Sequence, residues 1–349
     1  MSLPTPTSRS GRRKWRRPRG SRPWIAGAVA LLVLILAVGT AVAGGVRALL
    51  MDAASGVFAV AFHPAARGAA PLPSGPFTVL VMGTEKTKQF GGMQTDSMIV
   101  MGYDPGKRVA AVLSVPRDLW VNIPGYGYQR INTALQIGGP ALAEKTVSQT
   151  IGVPIDYYAV VSYSSLVDLV NAVGGIRVYV PYNIDDHCFP NPAENACTTF
   201  QMSKGWHNLN GINALKLARE REVLPLSDIS RDSDQQSILL ALRQKLLNPF
   251  ALLKLPTLAN ILTHSVTTNF PLASVPKVAA QALSLPHSRI RRAVLQYSNN
   301  AVSNWTTPGG ADVLLGHAAA IQAVVQSVFG PMLPTLRSEA RGTGAAAGG

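Results

Sequence analysis

The sequence predicts an α/β domain in which a central mixed β-sheet is flanked by helices, preceded by one N-terminal transmembrane helix. Two observations lead to this prediction. After residue 76, short aliphatic segments bounded by glycine or proline alternate with helical segments, which is the pattern of an α/β sandwich. Before it, the uncharged stretch 24–46 is long enough to cross a hydrocarbon layer of about 30 Å as a helix.

The first 23 residues carry a strongly basic run. They contribute eight of the positive charges behind the formal net charge of +14, and no acid, at Arg9, Arg12, Arg13, Lys14, Arg16, Arg17, Arg19 and Arg22. Basic residues beside a membrane span favour the cytoplasmic side, so we expect residues 1–23 to be a cytoplasmic tail of a single-pass cell-membrane protein. The run is therefore interpreted as a membrane signal rather than a nucleic-acid site. A cleaved signal peptide is the alternative, because residues 41–43 resemble a cleavage site.

The rest of the chain then lies outside the cell. Residues 47–75 are rich in alanine, glycine and proline and predict a stalk or linker, residues 76–335 form the extracytoplasmic domain, and residues 336–349 are predicted to be disordered. The only cysteines, Cys188 and Cys197, lie in a loop rich in proline and asparagine. They predict a disulfide in an oxidising compartment, with a metal pair as the less favoured interpretation.

Within the domain, aliphatic segments predict strands at 77–83, 96–104, 108–118, 158–161, 176–180 and 293–297. Apolar residues at helical spacing predict helices at 140–152, 164–172, 210–219, 232–247, 255–262, 275–283 and 311–328. Because strands and helices alternate, the sheet is expected to be mixed or parallel.

Three arginines precede an amide pair in the stretch 210–236: Arg219, Arg221 and Arg231 come before Gln235 and Gln236. Guanidinium groups that converge repel one another, and a phosphate oxygen fits their planar fork better than other anions do. The alternative is that these arginines form ion pairs with nearby acids, namely Glu220, Glu222, Asp228 and Asp232.

A second polar cluster lies at the predicted strand ends. Glu85 follows the first strand, Asp96 opens the second, and Arg117 and Asp118 close the third. Ligands of open α/β sheets bind at such ends. Two carboxylates on neighbouring connections suit Mg²⁺, with Mn²⁺ as the alternative metal, although single loop acids are more often only solvated.

These segments resemble the LytR-CpsA-Psr family of cell-wall enzymes. The resemblance covers about half of the chain and rests on VLVMGTE, TDSMIV, LSVPRDLWVNIPGYGYQRINTA, GGPALAEKTVSQTIGVPIDYYAVVSYSSLVDLVNAVGGIRVYV, GWHNLNGINALKLARER and SRDSDQQ. It implies a phosphotransferase that moves a glycopolymer from an undecaprenyl-diphosphate carrier to a hydroxyl of a peptidoglycan sugar. Position by position, it implies Glu85 and Asp96 as metal ligands and five diphosphate contacts, at Arg117, Arg219, Arg221, Arg231 and Gln235. Asp96 and the first three of these arginines are the predicted catalytic residues.

Three positions depart from the family pattern: Glu85 replaces an aspartate, while Gln94 and Asp234 replace arginines. These changes remove positive charge from the predicted site and add one negative charge. They leave a second functional hypothesis open, a prenyl-phosphate-binding or regulatory protein of the cell envelope that is impaired in catalysis.

Overall fold

A computed structural model describes residues 75–84, 94–191, 196–220, 228–246, 257–258, 261, 266–271 and 274–338. The predicted cytoplasmic tail and transmembrane helix, and nearly all of the predicted stalk, lie outside the described residues, as do the last residues of the predicted C-terminal tail. Within the part of the chain that is described, no helix is both long and apolar enough to span a membrane.

The described domain contains fourteen strands and six α-helices. The strands are β1 (Phe77–Thr84), β2 (Ser97–Asp104), β3 (Val109–Ser114), β4 (Leu119–Ile123), β5 (Gly127–Arg130), β6 (Tyr157–Ser162), β7 (Ile176–Val180), β8 (Ile184–Asn191), β9 (Ala196–Met202), β10 (Gly205–Leu209), β11 (Val266–Thr268), β12 (Ile290–Val294), β13 (Val302–Thr306) and β14 (Asp312–Gly316). The helices are α1 (Thr133–Ile151), α2 (Tyr163–Ala172), α3 (Gly211–Arg219), α4 (Asp228–Leu246), α5 (Val275–Leu283) and α6 (Ala318–Phe329).

A six-stranded mixed sheet in the order β11-β6-β1-β2-β3-β12 forms the centre. β1, β2 and β3 are antiparallel neighbours, whereas β6 and β12 run parallel to β1 and β3. Every residue of β1 and β2 is buried, as expected of strands that are covered on both faces. The predicted α/β class with a central mixed sheet and flanking helices is confirmed.

Each face of this sheet has its own hydrophobic core. One core packs the sheet against α2, α3, α4 and α5, and the other packs it against α1, α6 and a four-stranded sheet in the order β13-β14-β4-β5. Two further ribbons, β7 with β10 and β8 with β9, extend the first of these layers. For the site, the important feature of this layout is that α3 and α4 lie over the same face of the sheet.

Four predicted elements differ from the structure. The predicted helix 311–328 begins as the strand β14, because residues 312–316 pair with β13 and β4, and only then becomes α6. The strand predicted at 108–118 ends at Ser114, and the one at 293–297 corresponds to β12. Helix α1 starts before the predicted 140–152, but non-helical Gly138 and Gly139 interrupt it, so its regular part begins at Pro140.

Candidate functional site

The site is centred on Asp96, which immediately precedes β2. Its backbone N–H donates to the Gly83 carbonyl at the end of β1 (3.0 Å), and the residue is 4% exposed. The antiparallel register pairs Ile99 with Ser114, and continuing it by three residues places Asp96 opposite Arg117. The Arg117 Nη1 atom lies 2.5 Å from Asp96 Oδ1. Sheet register therefore brings the two predicted residues together.

Helix α4 supplies two more of the predicted residues. The Nη2 atom of Arg231, whose side chain is fully buried, donates to the Asp96 carbonyl oxygen at 3.3 Å. One turn later, the Gln235 Oε1 atom accepts a hydrogen bond from the Ser97 hydroxyl at 2.8 Å. Residues four apart lie on one face of a helix, so the Arg231 to Gln235 spacing fixes the start of α4 against the start of β2.

Gln236 fixes the same helix to the neighbouring strands. Its Nε2 atom donates to the Ser114 hydroxyl and to the Ala293 carbonyl, both at 2.9 Å. The two glutamines of the predicted amide pair therefore have different partners: Gln235 contacts β2, and Gln236 bridges β3 and β12. Both contacts orient the face of α4 that carries Arg231.

Arg219 reaches the site from the last turn of α3. It is 6% exposed, and its guanidinium carbon lies 5.8 Å from the centroid of the Tyr163 ring. The Tyr163 hydroxyl donates to Asp96 Oδ2 at 3.3 Å. Burial raises the pKa of Tyr163 well above its ordinary value; the nearby Asp96 adds to this rise, and three arginines, Arg219, Arg231 and Arg117, oppose it. The Tyr163 hydroxyl therefore lies within electrostatic range of Asp96 and of all three arginines.

The structure thus brings together five of the predicted site residues, Asp96, Arg117, Arg219, Arg231 and Gln235. The other two, Glu85 and Arg221, lie outside the described residues, so their roles stay predictions. Tyr163 was not predicted, because an aromatic residue at a strand-to-helix junction has the same local signature as any core residue.

Acidic side chains lie among these arginines. Asp118 Oδ2 is 3.5 Å from Arg117 Nε, and Asp232 Oδ1 is 3.9 Å from Arg231 Nη2. Part of the ion-pair alternative is therefore present, at Asp232. A site that mixes guanidinium and carboxylate groups suits a phosphate accompanied by a divalent cation better than it suits a bare anion.

The carboxylates of Asp96 and of the predicted ligand Glu85 form a donor set that is compatible with Mg²⁺. Asp96 offers a buried carboxylate at the site, and in sequence the predicted second ligand, Glu85, follows Thr84 of β1 directly. Among the described residues, no group of three or more His, Cys, Asp or Glu side chains could hold a metal by itself. Mg²⁺ commonly binds one or two carboxylates and completes its shell with water and substrate phosphate oxygens, so this is a compatible set.

The two described departures from the family pattern occupy different places. The Gln94 Oε1 atom accepts from the Asn132 amide at 3.3 Å, and the Asn132 backbone N–H donates to the Arg117 carbonyl, so Gln94 adjoins the site. Asp234 instead accepts a hydrogen bond from the Tyr182 hydroxyl and lines a separate cleft. Asp234 lies three residues after Arg231 and directly before Gln235 on α4, so the expectation that it adds a negative charge near the arginine cluster stays a prediction.

The two cysteines form a disulfide across the β8–β9 hairpin, with 4.4 Å between their Cα atoms. Phe189, next to Cys188, packs on Phe200 of the opposite strand with 5.4 Å between ring centroids. The Arg219 guanidinium carbon lies 5.4 Å from the centroid of Phe189. The cross-linked hairpin therefore forms one side of the pocket that holds Arg219.

Comparison with known proteins identifies a family for this chain. The model of the LytR_cpsA_psr family matches residues 60–324. The "Regulatory protein MsrR" of Staphylococcus aureus is 34% identical over 197 residues, which are 56% of this chain and 57% of MsrR. The Bacillus subtilis protein named "Polyisoprenyl-teichoic acid--peptidoglycan teichoic acid transferase TagV" is 33% identical over 199 residues, 56% of this chain and 50% of TagV. The chain thus spans about half the length of these curated relatives.

Solved structures show the same fold. The crystal structure of Bacillus subtilis TagV superposes with a TM-score of 0.61 at 27% identity, covering 74% of this chain and 97% of that one. The protein YwtF (TagT) with bound octaprenyl pyrophosphate has a TM-score of 0.55 at 22% identity, covering 76% of this chain and 94% of that one, and this likeness shows the fold alone. Because the family match covers more than half of the 349 residues, the chain belongs to the LytR_cpsA_psr family.

Proposed function

We propose that this protein is a membrane-anchored phosphotransferase that moves a glycopolymer from an undecaprenyl-diphosphate carrier to a hydroxyl of a peptidoglycan sugar outside the cell. The observation that carries the proposal is the convergence of Arg117, Arg219 and Arg231 around Asp96. The names of related proteins support it, since TagV is a transferase of polyisoprenyl-linked teichoic acid and one structure holds octaprenyl pyrophosphate.

The reaction suits residues of this kind. The acceptor hydroxyl oxygen attacks the phosphorus that carries the glycan, a new phosphodiester forms, and the bond to the bridging oxygen breaks so that prenyl phosphate leaves. Phosphoryl transfer needs in-line positioning and charge neutralisation more than a covalent enzyme intermediate. In this proposal, Arg117, Arg219, Arg221, Arg231 and Gln235 contact the diphosphate. The hydrogen bond from Ser97 to Gln235 also holds the start of α4, which carries Arg231, against β2.

Asp96 has two proposed roles. Asp96, with Glu85, would hold Mg²⁺, and the metal when bound would supply positive charge to the diphosphate. Asp96 is also the proposed acceptor of the proton that leaves the attacking hydroxyl. Its ion pair with Arg117 keeps the carboxylate oriented towards the arginine cluster.

The second candidate is a binding or regulatory protein that holds prenyl phosphates without turnover. Gln94 favours it, because a neutral amide bonded to Asn132 stands where the family has an arginine. The name of MsrR as a regulatory protein points the same way.

One experiment separates the two candidates. The full chain in detergent is incubated with a prenyl-diphosphate-linked glycan, Mg²⁺ and peptidoglycan, and both linked glycan and released prenyl phosphate are quantified. The transferase proposal expects Arg219→Ala to lower the initial rate on the order of 100-fold, as the loss of one charge-stabilising donor does in other enzymes.

Lys216→Ala is the matched control, because Lys216 is a cation in the same last turn of α3 that is not among the predicted site residues, and its Nζ atom lies over both rings of the hairpin, 5.7 Å from the Phe200 centroid and 5.9 Å from the Phe189 centroid. Wild-type protein that carries bound lipid but releases no prenyl phosphate with Mg²⁺ or Mn²⁺ would instead support the binding protein. Equal rates for wild type and Arg219→Ala would remove the arginine cluster from the mechanism.

A further inference from the structure

A second cleft, separate from the arginine cluster, lies between the β7–β10 ribbon and the outer face of α4. Its volume is about 450 Å³, within the range of roughly 300–1,000 Å³ that is typical of ligand sites. Strand β7 contributes Arg177 and Tyr179, β10 contributes Trp206, and α4 contributes Ser237 and Gln244. The proposed diphosphate chemistry uses none of these residues.

The ribbon side of the cleft is an exposed aromatic surface. Trp206 is 61% exposed and Tyr179 is 43% exposed, although both are large enough to be buried in most proteins. They face each other across the two strands, with 5.5 Å between ring centroids, and the Arg177 guanidinium carbon lies 4.9 Å from the centroid of Trp206. Flat rings held in place beside hydrogen-bonding groups suit a ligand that has both apolar and polar faces, as a sugar ring has.

The charge of the cleft is predominantly positive. Arg177 and Arg292 line it, and among its described lining residues the one carboxylate is that of Asp234. Asp234 is 3% exposed and accepts a hydrogen bond from the Tyr182 hydroxyl. Burial raises the pKa of Asp234 to about 7, so its negative charge is only partly present at neutral pH. An anionic ligand is therefore favoured over a neutral one.

The cleft adjoins the arginine cluster along the chain. Asp234 in the cleft and Gln235 in the cluster are consecutive residues of α4, which places their Cα atoms about 3.8 Å apart. On the other side, Glu220 follows Arg219 directly, and its charge acts on both Asp234 and Tyr182. A polymer lying in the cleft would thus pass close to the site where the phosphoryl group is transferred.

We propose that this cleft binds a short stretch of an acidic oligosaccharide, with Trp206 and Tyr179 packing on the sugar rings and Arg177 and Arg292 binding its carboxylates. Its assignment to the acceptor strand rests on the proposed transferase function. The saccharide binding itself does not, because it follows from the aromatic and cationic lining.

Calorimetric titration of the full chain in detergent tests the proposal. The probes are a muramic-acid-containing tetrasaccharide, the neutral N-acetylglucosamine tetrasaccharide, and the glycan released from the lipid carrier. We expect the muramic-acid probe to bind more tightly than the neutral one and its affinity to fall as salt rises. Tight binding by the carrier-derived glycan with no binding by the muramic-acid probe would overturn the acceptor assignment.

Paired variants locate the bound sugar. Trp206→Ala should weaken the muramic-acid probe at least about tenfold, which corresponds to about 1.4 kcal/mol. Trp305→Ala is the control, because Trp305 is also exposed (37%) but lies on β13, away from the cleft. Arg292→Glu should also weaken binding of the muramic-acid probe, because it replaces one of the arginines proposed to bind carboxylates. Arg291→Glu is its control, because Arg291 is the preceding residue of β12 and donates to the Ser327 carbonyl instead. Equal affinities within both pairs, or no saccharide binding by the wild type, would overturn the proposal.

Release of prenyl phosphate, measured in the same proteins, separates this inference from the proposed function. If the wild type binds the saccharide through Trp206 but releases no prenyl phosphate, the transferase proposal and the acceptor assignment fail, and saccharide binding by the cleft stands. If prenyl phosphate is released and the glycan is transferred at equal rates by wild type and Trp206→Ala, the acceptor assignment fails and the transferase proposal stands.

Discussion

The Arg117 Nη1 atom lies 2.5 Å from Asp96 Oδ1, and both residues are largely buried at the paired ends of β3 and β2. Neither residue is part of a regular strand, yet the antiparallel register between the strands places them opposite each other. The pair therefore depends on sheet pairing rather than on sequence proximity. It joins the proposed metal ligand to one of the proposed diphosphate contacts.

Asp96→Asn should abolish most of the transfer activity while leaving the protein folded. We expect a decrease in rate on the order of 100-fold or more, because an amide neither neutralises Arg117 nor holds a divalent cation. The free energy of unfolding should also fall by about 3 kcal/mol, since the largely buried Arg117 loses its closest carboxylate. Initial rates of prenyl phosphate release and urea unfolding of the full chain measure the two effects.

Asp104→Asn is the matched control for this variant. Asp104 ends the same strand, is equally buried at 4% exposure, and interacts with Lys107 at 3.5 Å. Its replacement should affect stability less, because Lys107 is exposed to solvent, and should leave the transfer rate unchanged. A loss of activity as large in Asp104→Asn as in Asp96→Asn would show that the effect comes from β2 itself and not from the site.

Phe189 positions Arg219, and a leucine at position 189 separates the effect of the aromatic ring from the effect of side-chain size. Phe189→Leu keeps an apolar side chain but removes the aromatic face 5.4 Å from the Arg219 guanidinium carbon. Because cation–π contacts contribute about 0.5–2 kcal/mol, we expect the dissociation constant for a prenyl diphosphate to rise about two- to thirtyfold. The maximal rate with saturating donor should change much less than this.

Phe200→Leu provides the comparison, since both rings pack on each other and both lie under Lys216 Nζ, at 5.7 Å for Phe200 and 5.9 Å for Phe189, whereas the Arg219 contact is made by Phe189. Both leucine variants should lose similar stability, and only Phe189→Leu should lose donor affinity. Similar dissociation constants for the two variants would argue that the hairpin acts only through packing.

The central strands were predictable because their apolar composition reflects burial on both faces of the sheet. Segments such as 77–83 are apolar throughout, and strands covered on both faces need that composition. The strand β14 was predicted as helix, because its five residues become a strand only through pairing with β13 and β4. Short strands of this kind depend on partners that are distant in the sequence.

The site was predictable to a similar extent. Asp96 and Arg117 stand beside strand ends, where α/β proteins bind ligands, and the Arg231 to Gln235 spacing is that of one helix face. Tyr163 and Phe189 could not be predicted, because their contacts with Asp96 and Arg219 arise only when separate elements pack together.

Gly211 should be intolerant of any side chain, although its backbone conformation is accessible to other residues. A Cβ atom at this position would lie 2.2 Å from the Val167 carbonyl oxygen and 2.7 Å from the Val167 Cα atom. These are backbone atoms of α2, so α3 would have to move as a whole and would shift Arg219 at its other end.

We therefore expect Gly211→Ala to lower the free energy of unfolding by about 2–3 kcal/mol, the cost of overpacking a close contact. Donor affinity should fall with it. Gly309→Ala is the control, because a Cβ atom there would be 3.8 Å from its nearest neighbour, the Thr307 hydroxyl. Urea unfolding that gave the same midpoint for Gly211→Ala and the wild type would contradict the close packing of α2 against α3.

Asp234 should make the stability of the protein depend on pH in a definite direction. Burial raises its pKa to about 7 in the folded protein, the Tyr182 hydroxyl partly opposes this, and Glu220 adds to it. A carboxyl group whose pKa is higher in the folded state binds its proton more tightly there. Its contribution therefore favours folding at low pH, and stability decreases as pH rises from about 4 to about 7.

Asp234→Asn should flatten this dependence. The amide oxygen still accepts the Tyr182 hydrogen bond but cannot ionise, so the variant should gain stability relative to the wild type between pH 5 and pH 8. The gain is a few kcal/mol at most, because one pKa unit corresponds to about 1.4 kcal/mol.

Tyr182→Phe should act in the opposite way. Loss of the hydrogen-bond donor raises the pKa of Asp234 further, so the decrease in stability extends above pH 7. Urea unfolding of the three proteins at pH 5, 6, 7 and 8 measures this, and parallel curves for wild type and Asp234→Asn would show that another group causes the dependence.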